Sequence, residues 1–260
     1  MALSKECLYE LYIVQNKYQR QIAEELGITE ATVDYWTRKY GLTIKKSNSD
    51  AVFNLQHIDK TDPIFCYYAG LVATDGYLDY KKKRISLRVT NEGCNEVLEA
   101  IRNYFGFVRP LGCYTKNTAK LPAYELLIPN SCIFKELESM GIYGKKLERS
   151  FDIDWLLNAD EDCQRMFLRG VSDGDGSIRK IKGNFRIAMT SESFITNLIR
   201  FVNEKFCVNY IMTYSSNSRH GKYPKLELRK VDSKNFLDFI YCDFDEYRFL
   251  DKYSRYLTIR

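Results

Sequence analysis

Hydrophobic and polar positions trace one series and then trace it again one hundred residues later. Tyr68–Gly76 reads YAGLVATDG and Leu168–Gly176 reads LRGVSDGDG, each an apolar helical run with spaced small residues, ending in Asp-Gly. Behind the first run, Ile85, Leu87 and Val89 alternate with Arg84, Ser86, Arg88 and Thr90. Behind the second, Phe185, Ile187 and Met189 alternate with Arg186, Ala188 and Thr190. A period of two predicts strands with one apolar face and one polar or basic face. A helical run that recurs together with its downstream strand pattern indicates internal duplication, here in two copies.

The flanking residues set the ends of the elements. Asp62-Pro63 reads as a helix start, an N-cap followed by proline at the first helical position. Asn158 or Asp160 can serve the second copy, and Gly76 and Gly176 read as helix stops. Gly70 with Thr74, and Gly170 with Gly174, form small i, i+4 faces along which the two helices can pack closely. Lys81–Lys83 and Lys180–Gly183 read as hairpin tips. Helices are predicted over Asn95–Phe105 and Ser193–Phe206, and again near Cys132–Met140 and Lys234–Tyr241. Second hairpins pair Val108–Tyr114 with Tyr124–Ile128, and Asn209–Ser215 with Lys225–Arg229. The fold class is α+β: two αββαββα halves with antiparallel sheets, each sheet keeping a solvated basic face. A two-stranded ribbon of this kind fits the major groove of B-DNA.

Helix packing would bring Asp75 and Asp175 together at helix C-termini, where dipole and mutual repulsion both oppose two carboxylates. A divalent cation relieves both, and all-oxygen ligation suits Mg²⁺. Taken alone, each Asp-Gly is only a turn after a buried helix; the repeat is what points to a metal site.

Residues 7–42 differ in texture. Ile22, Ala23 and Leu26 form one helical face, Gly27 breaks it, Thr29 can cap the next helix, and Ile28, Val33 and Trp36 supply packing. This resembles the helix-turn-helix of resolvase-like and bacterial regulatory DNA-binding domains. Its second helix would present Thr32, Tyr35, Arg38 and Lys39 to a major groove, with Glu30 and Asp34 beside them. The expected domains are 1–42 (helix-turn-helix), 43–60 (linker), 61–157 (first half) and 158–260 (second half).

Over residues 61–256 the paired motifs resemble the LAGLIDADG homing endonucleases, in the single-chain, two-motif form. The resemblance implies two pseudo-symmetric halves with saddle-like sheets, and Asp75 and Asp175 as metal ligands at the scissile phosphates. Ala73 and Asp173 fill a motif position that does not bind metal, and Thr74 stands where a smaller residue is usual, which would loosen the helix contact. It also implies a lysine per half. Gly141–Lys146 resembles the segment that carries it, Lys146 matching better than Lys145, and Phe249–Tyr253 supplies Lys252, preceded by Asp251 where a base is usual. Asn91 and Ser191 hold the polar position that in relatives helps orient the attacking water. The implied activity is site-specific double-strand cleavage with Mg²⁺ or Mn²⁺, leaving short 3′ overhangs, as in intron homing by a mobile element. DNA-binding positions would be Arg84, Ser86, Arg88, Thr90, Arg179, Lys180, Arg186, Thr190, Lys225 and Arg229. Two alternatives use the same fold: a non-cleaving transcriptional regulator and an intron RNA maturase with RNA as partner.

Charge and composition narrow this. The net charge of +5 is compatible with nucleic acid, while residues 1–60 hold eight Lys/Arg and eight Asp/Glu. Arg88 and Arg186 are alike expected to touch phosphate, and loss of either to weaken binding and flatten its salt dependence. Eight scattered cysteines and two histidines argue against a zinc finger and for reduced thiols. Neither a membrane-length apolar run nor a signal-peptide core nor a nucleotide-binding loop is seen, so no membrane and no nucleotide cofactor are expected. The chain reads as a monomer acting on double-stranded DNA inside a cell: the cytoplasm or nucleoid of a bacterial or phage-infected cell, or an organelle. Its ending, Thr-Ile-Arg, lacks the His-Asn of an intein, so it reads as free-standing or intron-encoded.

Overall fold

The computed structural model describes residues 3–14, 17–42, 57–107, 109–115, 121–129, 131–179, 183–217 and 221–259. The chain divides into two compact units, Met1–Ala51 and Val52–Arg260. The expected 43–60 linker lies outside the described residues up to position 56.

In the first unit α1 (Lys5–Tyr9) continues into a π-helical turn, Glu10–Val14, before α2 (Gln19–Leu26) and α3 (Glu30–Lys39). Gly27 ends α2 at φ 64°, a left-handed conformation that glycine adopts without Cβ strain. The Thr29 hydroxyl then accepts from the Thr32 amide and starts α3. Leu8, Ile22 and Val33 are fully buried, with Leu26 and Trp36 packed against them. The two helices and the turn between them fall where the sequence pattern puts them.

The second unit begins where Asp62 accepts from the Ile64 and Phe65 amides, with Pro63 opening α4 (Pro63–Asp75). Next come β1 (Gly76–Asp79), β2 (Arg84–Val89), α5 (Cys94–Phe105), β3 (Gly112–Tyr114), β4 (Ala123–Pro129) and α6 (Ser131–Ser139). After α7 (Ile153–Asn158) the series repeats: α8 (Glu161–Asp175), β5 (Gly176–Ile178), β6 (Phe185–Ala188), α9 (Glu192–Phe206), β7 (Thr213–Asn217), β8 (Gly221–Glu227), α10 (Lys230–Ile240) and finally α11 (Leu250–Leu257). The two antiparallel sheets have matching orders, β1-β2-β4-β3 and β5-β6-β8-β7. Inward residues Ile85, Leu87, Ile187 and Leu226 are fully buried under the helices, and the opposite faces meet solvent.

α4 and α8 pack on each other at the centre. A Cβ on Gly70 would lie 2.9 Å from the Val171 nitrogen and 3.1 Å from the Gly170 Cα; one on Gly170 would meet Leu71 and Gly70 in the same way. Only glycine permits that approach, which offsets its cost of about 1 kcal/mol in a helix. Thr74 faces Gly174, whose missing side chain makes room for it, and its hydroxyl donates to the Gly70 and Leu71 carbonyls at 3.2 and 3.0 Å. The expected loosening at Thr74 is therefore corrected: the facing glycine absorbs the extra bulk.

Four expectations differ in detail. Gly76 and Gly176 are extended, at φ −73°, so they are not left-handed stops. A Cβ at either would press on the Val72 or Ser172 backbone one turn back. Asp160 precedes α8 without a side-chain cap, while Asn158 donates to the Asp154 carbonyl at 2.7 Å. β8 runs from Gly221 to Glu227 with Pro224 inside it, and Arg229 is the residue preceding α10. α7, capped by Asp152, packs against α8 and α9, so the expected boundary at 157/158 falls inside it.

Candidate functional site

The helix pair ends in a carboxylate pair. Asp75 and Asp175 are the last residues of α4 and α8, each about one quarter exposed. The Lys146 ammonium lies 3.5 Å from an Asp75 oxygen and 3.9 Å from an Asp175 oxygen, so one cation reaches both. Burial pushes the Asp175 carboxyl up to about 6; Asp75 adds to the rise, while Lys146 and Lys252 oppose it. The two hard oxygen donors suit a small divalent cation with waters and phosphate oxygens completing its shell. Among the described residues no group of three or more His, Cys, Asp or Glu forms a full cage, so protein alone would supply a partial shell.

Lys146 belongs to a loop held by an arginine that the sequence does not single out. Arg149 is buried and donates to the Val72 carbonyl at 2.7 Å, the Gly76 carbonyl at 2.8 Å and the Gly144 carbonyl at 3.4 Å. It ties the lysine loop to the C-terminal turn of α4. Lys145 is exposed and has no comparable bridge to both carboxylates among the described residues.

Lys252 is placed differently. It sits in the first turn of α11 and donates to the Gly176 carbonyl. Burial pushes its ammonium below the usual lysine range, with Asp251, Asp173 and Asp75 opposing. Its segment is fixed through Asp173, which is wholly buried. Asp173 accepts from Tyr67 and Tyr241 hydroxyls, both at 2.8 Å, and from the Phe249 amide at 3.1 Å. Burial raises the Asp173 carboxyl to about 6 despite these bonds. Asp173 thus joins α8 to α4 and to the start of α11. A buried aspartate needs such partners, yet no spacing rule identifies them.

The other expected positions separate. Asn91 donates to Asp251 at 3.3 Å, which links the end of β2 to the residue before Lys252. Ser191 is buried, and its hydroxyl accepts from the Phe194 amide as the cap of α9 and bonds Ser193. On the sheet faces, Arg84 pairs with Asp79 at 3.6 Å, and Arg88 with Glu125 at 3.1 Å. Thr90 and Thr190 are exposed. Arg179 and Lys225 share Glu227, at 3.5 and 2.6 Å. A groove of about 310 Å³ opens beside Asp175, lined by Ser177, Arg186, Thr190 and Tyr223. Lys225 and Arg229 line a wider groove of about 700 Å³ with Thr213 and Tyr214. Lys180 lies outside the described residues.

In the N-terminal unit Tyr35, Arg38 and Lys39 are exposed and Thr32 is half-buried, its hydroxyl 2.8 Å from that of Thr29. Arg38 pairs with Asp34 at 3.0 Å, and the Lys39 ammonium lies 4.5 Å from the centre of the Trp36 ring. No helix among the described residues is long and apolar enough to cross a membrane.

A family model described as a LAGLIDADG-like domain matches residues 162–240. The uncharacterized protein MJ1098 of Methanocaldococcus jannaschii is 24% identical over 230 residues, 86% of this chain and 85% of that protein. The structure of the homing endonuclease I-WcaI bound to its DNA recognition sequence is similar at TM-score 0.55 and 16% identity, covering 82% of this chain and 94% of that one. Full-length DUF199/WhiA from Thermatoga maritima is similar at TM-score 0.50 and 14% identity, covering 80% and 66%.

Proposed function

We propose, from the premise that this chain has the LAGLIDADG homing-endonuclease fold, that it is a site-specific double-strand DNA endonuclease. One observation carries the reading: the fold duplicates itself and brings Asp75 and Asp175 to one point, within reach of the exposed ammonium of Lys146. Basic residues on both sheet faces support DNA as the substrate, as does the DNA bound to I-WcaI.

Asp75 and Asp175 are the residues that would hold Mg²⁺ or Mn²⁺. A divalent cation there supplies Lewis-acid polarisation of the phosphate and a lower pKa for the attacking water. Lys146 offsets charge that develops on the phosphate oxygens. Lys252, through its bond to the Gly176 carbonyl, serves the second half. Asn91 acts by positioning Asp251 next to Lys252. Ser191, committed to its helix cap, is left without a catalytic task. The two sheets would follow the major groove on either side of the cut, and the chain would work as an intracellular monomer. The exposed side of α3, with Tyr35, Arg38 and Lys39, would add a tethered contact that lengthens the recognised site.

A second reading, DNA binding without cleavage, is favoured by the position of the Lys146 ammonium between the carboxylates, where it offsets part of their charge in place of a metal. Incubation with a randomised duplex library and Mg²⁺, followed by sequencing of cut ends, separates the two. The endonuclease reading expects cuts at one long motif that disappear with Asp75→Asn plus Asp175→Asn. Selective retention of one sequence by both proteins, without cuts, supports the second reading.

A further inference from the structure

The sequence treats Arg88 and Arg186 as equivalents, but their surroundings differ. The register of β2 and β4 sets Arg88 opposite Glu125 on the solvent face. Arg88 donates to Glu125 at 3.1 Å, and its guanidinium lies 4.7 Å from the centre of the Tyr114 ring. Tyr114 donates its hydroxyl to the other Glu125 oxygen at 2.8 Å, and the Ser86 hydroxyl also donates to this carboxylate. Burial alone would raise the Glu125 carboxyl; the bonds from Ser86, Tyr114 and Arg88 outweigh it and hold it below its usual range. Neighbours on both flanking strands, β2 and β3, therefore fix one carboxylate, which fixes one arginine.

We propose that Arg88 reads a guanine edge in the major groove, with Glu125 and Tyr114 as its positioning residues. This inference rests on the DNA-binding reading above. The Arg88 side chain is 55% exposed, and a guanidinium carries five donors. One is engaged by Glu125, which leaves a planar fork for the N7 and O6 acceptors of guanine. The ion pair and the neighbouring Tyr114 ring restrict the guanidinium before DNA arrives, so less side-chain freedom remains to be lost on binding.

Charge separates this role from phosphate contact. Arg88 and Glu125 sum to zero, and a neutralised cation releases few counterions. Arg186 has no acidic partner among the described residues. The carboxylate opposite it in the register, Glu227, is already shared by Arg179 and Lys225. The second sheet thus presents surplus positive charge beside Asp175, the setting for backbone contact whose strength follows salt.

Duplex-library selection in EDTA, with salt titrations on the recovered site, tests this on the full chain. Arg88→Ala should erase about 10- to 100-fold discrimination at one base pair. Arg88→Lys, which keeps the charge and guards against a folding defect, should lose the same discrimination. Glu125→Gln should bind random DNA more tightly while discriminating less, a pairing that simple unfolding does not produce. Arg186→Ala should weaken all sequences alike and flatten the slope by about 0.9. An Arg88→Ala protein that flattens the slope equally, with base preference intact, overturns the inference but leaves the endonuclease reading standing. Wild-type protein that retains no duplex overturns both.

Discussion

Asp175 is one quarter exposed, and burial pushes its carboxyl up to about 6. Its folded-state value lies above the ordinary aspartate value of about 3.9. Folding therefore favours the protonated form, and the stability linked to this group is full below about pH 4 and lost as pH rises through 6. Asp175→Asn should melt higher than wild type at pH 8 without metal, with the gap closing towards pH 4 in scanning calorimetry. Metal affinity runs the other way, because the ligand must be deprotonated. With subsaturating Mg²⁺, cleavage should fall about tenfold per pH unit below 6, and a flat profile would remove Asp175 as a ligand. Asp173 answers a different test. Asp173→Ala would leave two buried tyrosine hydroxyls and an amide without their acceptor, each costing about 1–3 kcal/mol, a loss measurable by denaturant titration. At this scale Asp75 and Asp175 are legible because a repeated Asp-Gly marks them, and Lys146 only because Gly141–Lys146 resembles the family segment that carries a lysine. Arg149, Glu125 and Tyr114 were not, since burial and cross-strand register are tertiary facts.

The elements themselves followed local rules closely. Alternation placed β2 and β6, and apolar periodicity with Asp62-Pro63 placed α4. β8 starts earlier than the expected Lys225 and takes in Pro224, a residue type that argues against a central strand, which pairs opposite Tyr214. α7 and α11 are short helices of six and eight residues, below the length at which periodicity identifies a helix. The small-residue face of α4 and α8 gives the prediction proper to this scale. Gly170→Ala gains about 1 kcal/mol of helix propensity but drives a Cβ to 2.9 Å from the Leu71 nitrogen and 3.1 Å from the Gly70 Cα. Backbone has to move, and overpacking of this kind costs about 1–3 kcal/mol. The net expectation is a lower denaturant midpoint together with slower cleavage, since the same contact sets the spacing of the carboxylates. A midpoint at or above wild type would show that the helices can part without loss.

As a whole the molecule is a duplication whose copies have drifted apart. The architecture was readable from the repeat; the asymmetry was not, because it lies in which neighbours each copy acquired. Lys146 is half-exposed and reaches both carboxylates, whereas Lys252 is partly buried and bonded to the Gly176 carbonyl. Unequal lysines predict unequal strands. On supercoiled plasmid carrying the recovered site, a nicked intermediate should accumulate. Lys146→Ala should slow both cuts by about 100-fold, and Lys252→Ala mainly one; equal effects on both strands would argue for functional symmetry. Everything in the endonuclease reading depends on one carboxylate from each copy forming a shared hydrolytic site on bound DNA. The deciding measurement is single-turnover cleavage of the recovered site, with affinity measured in parallel, for wild type and the Asp75→Asn, Asp175→Asn double variant. The double variant should bind the site as tightly as wild type and cut neither strand. Cleavage that survives the double substitution would refute the shared site.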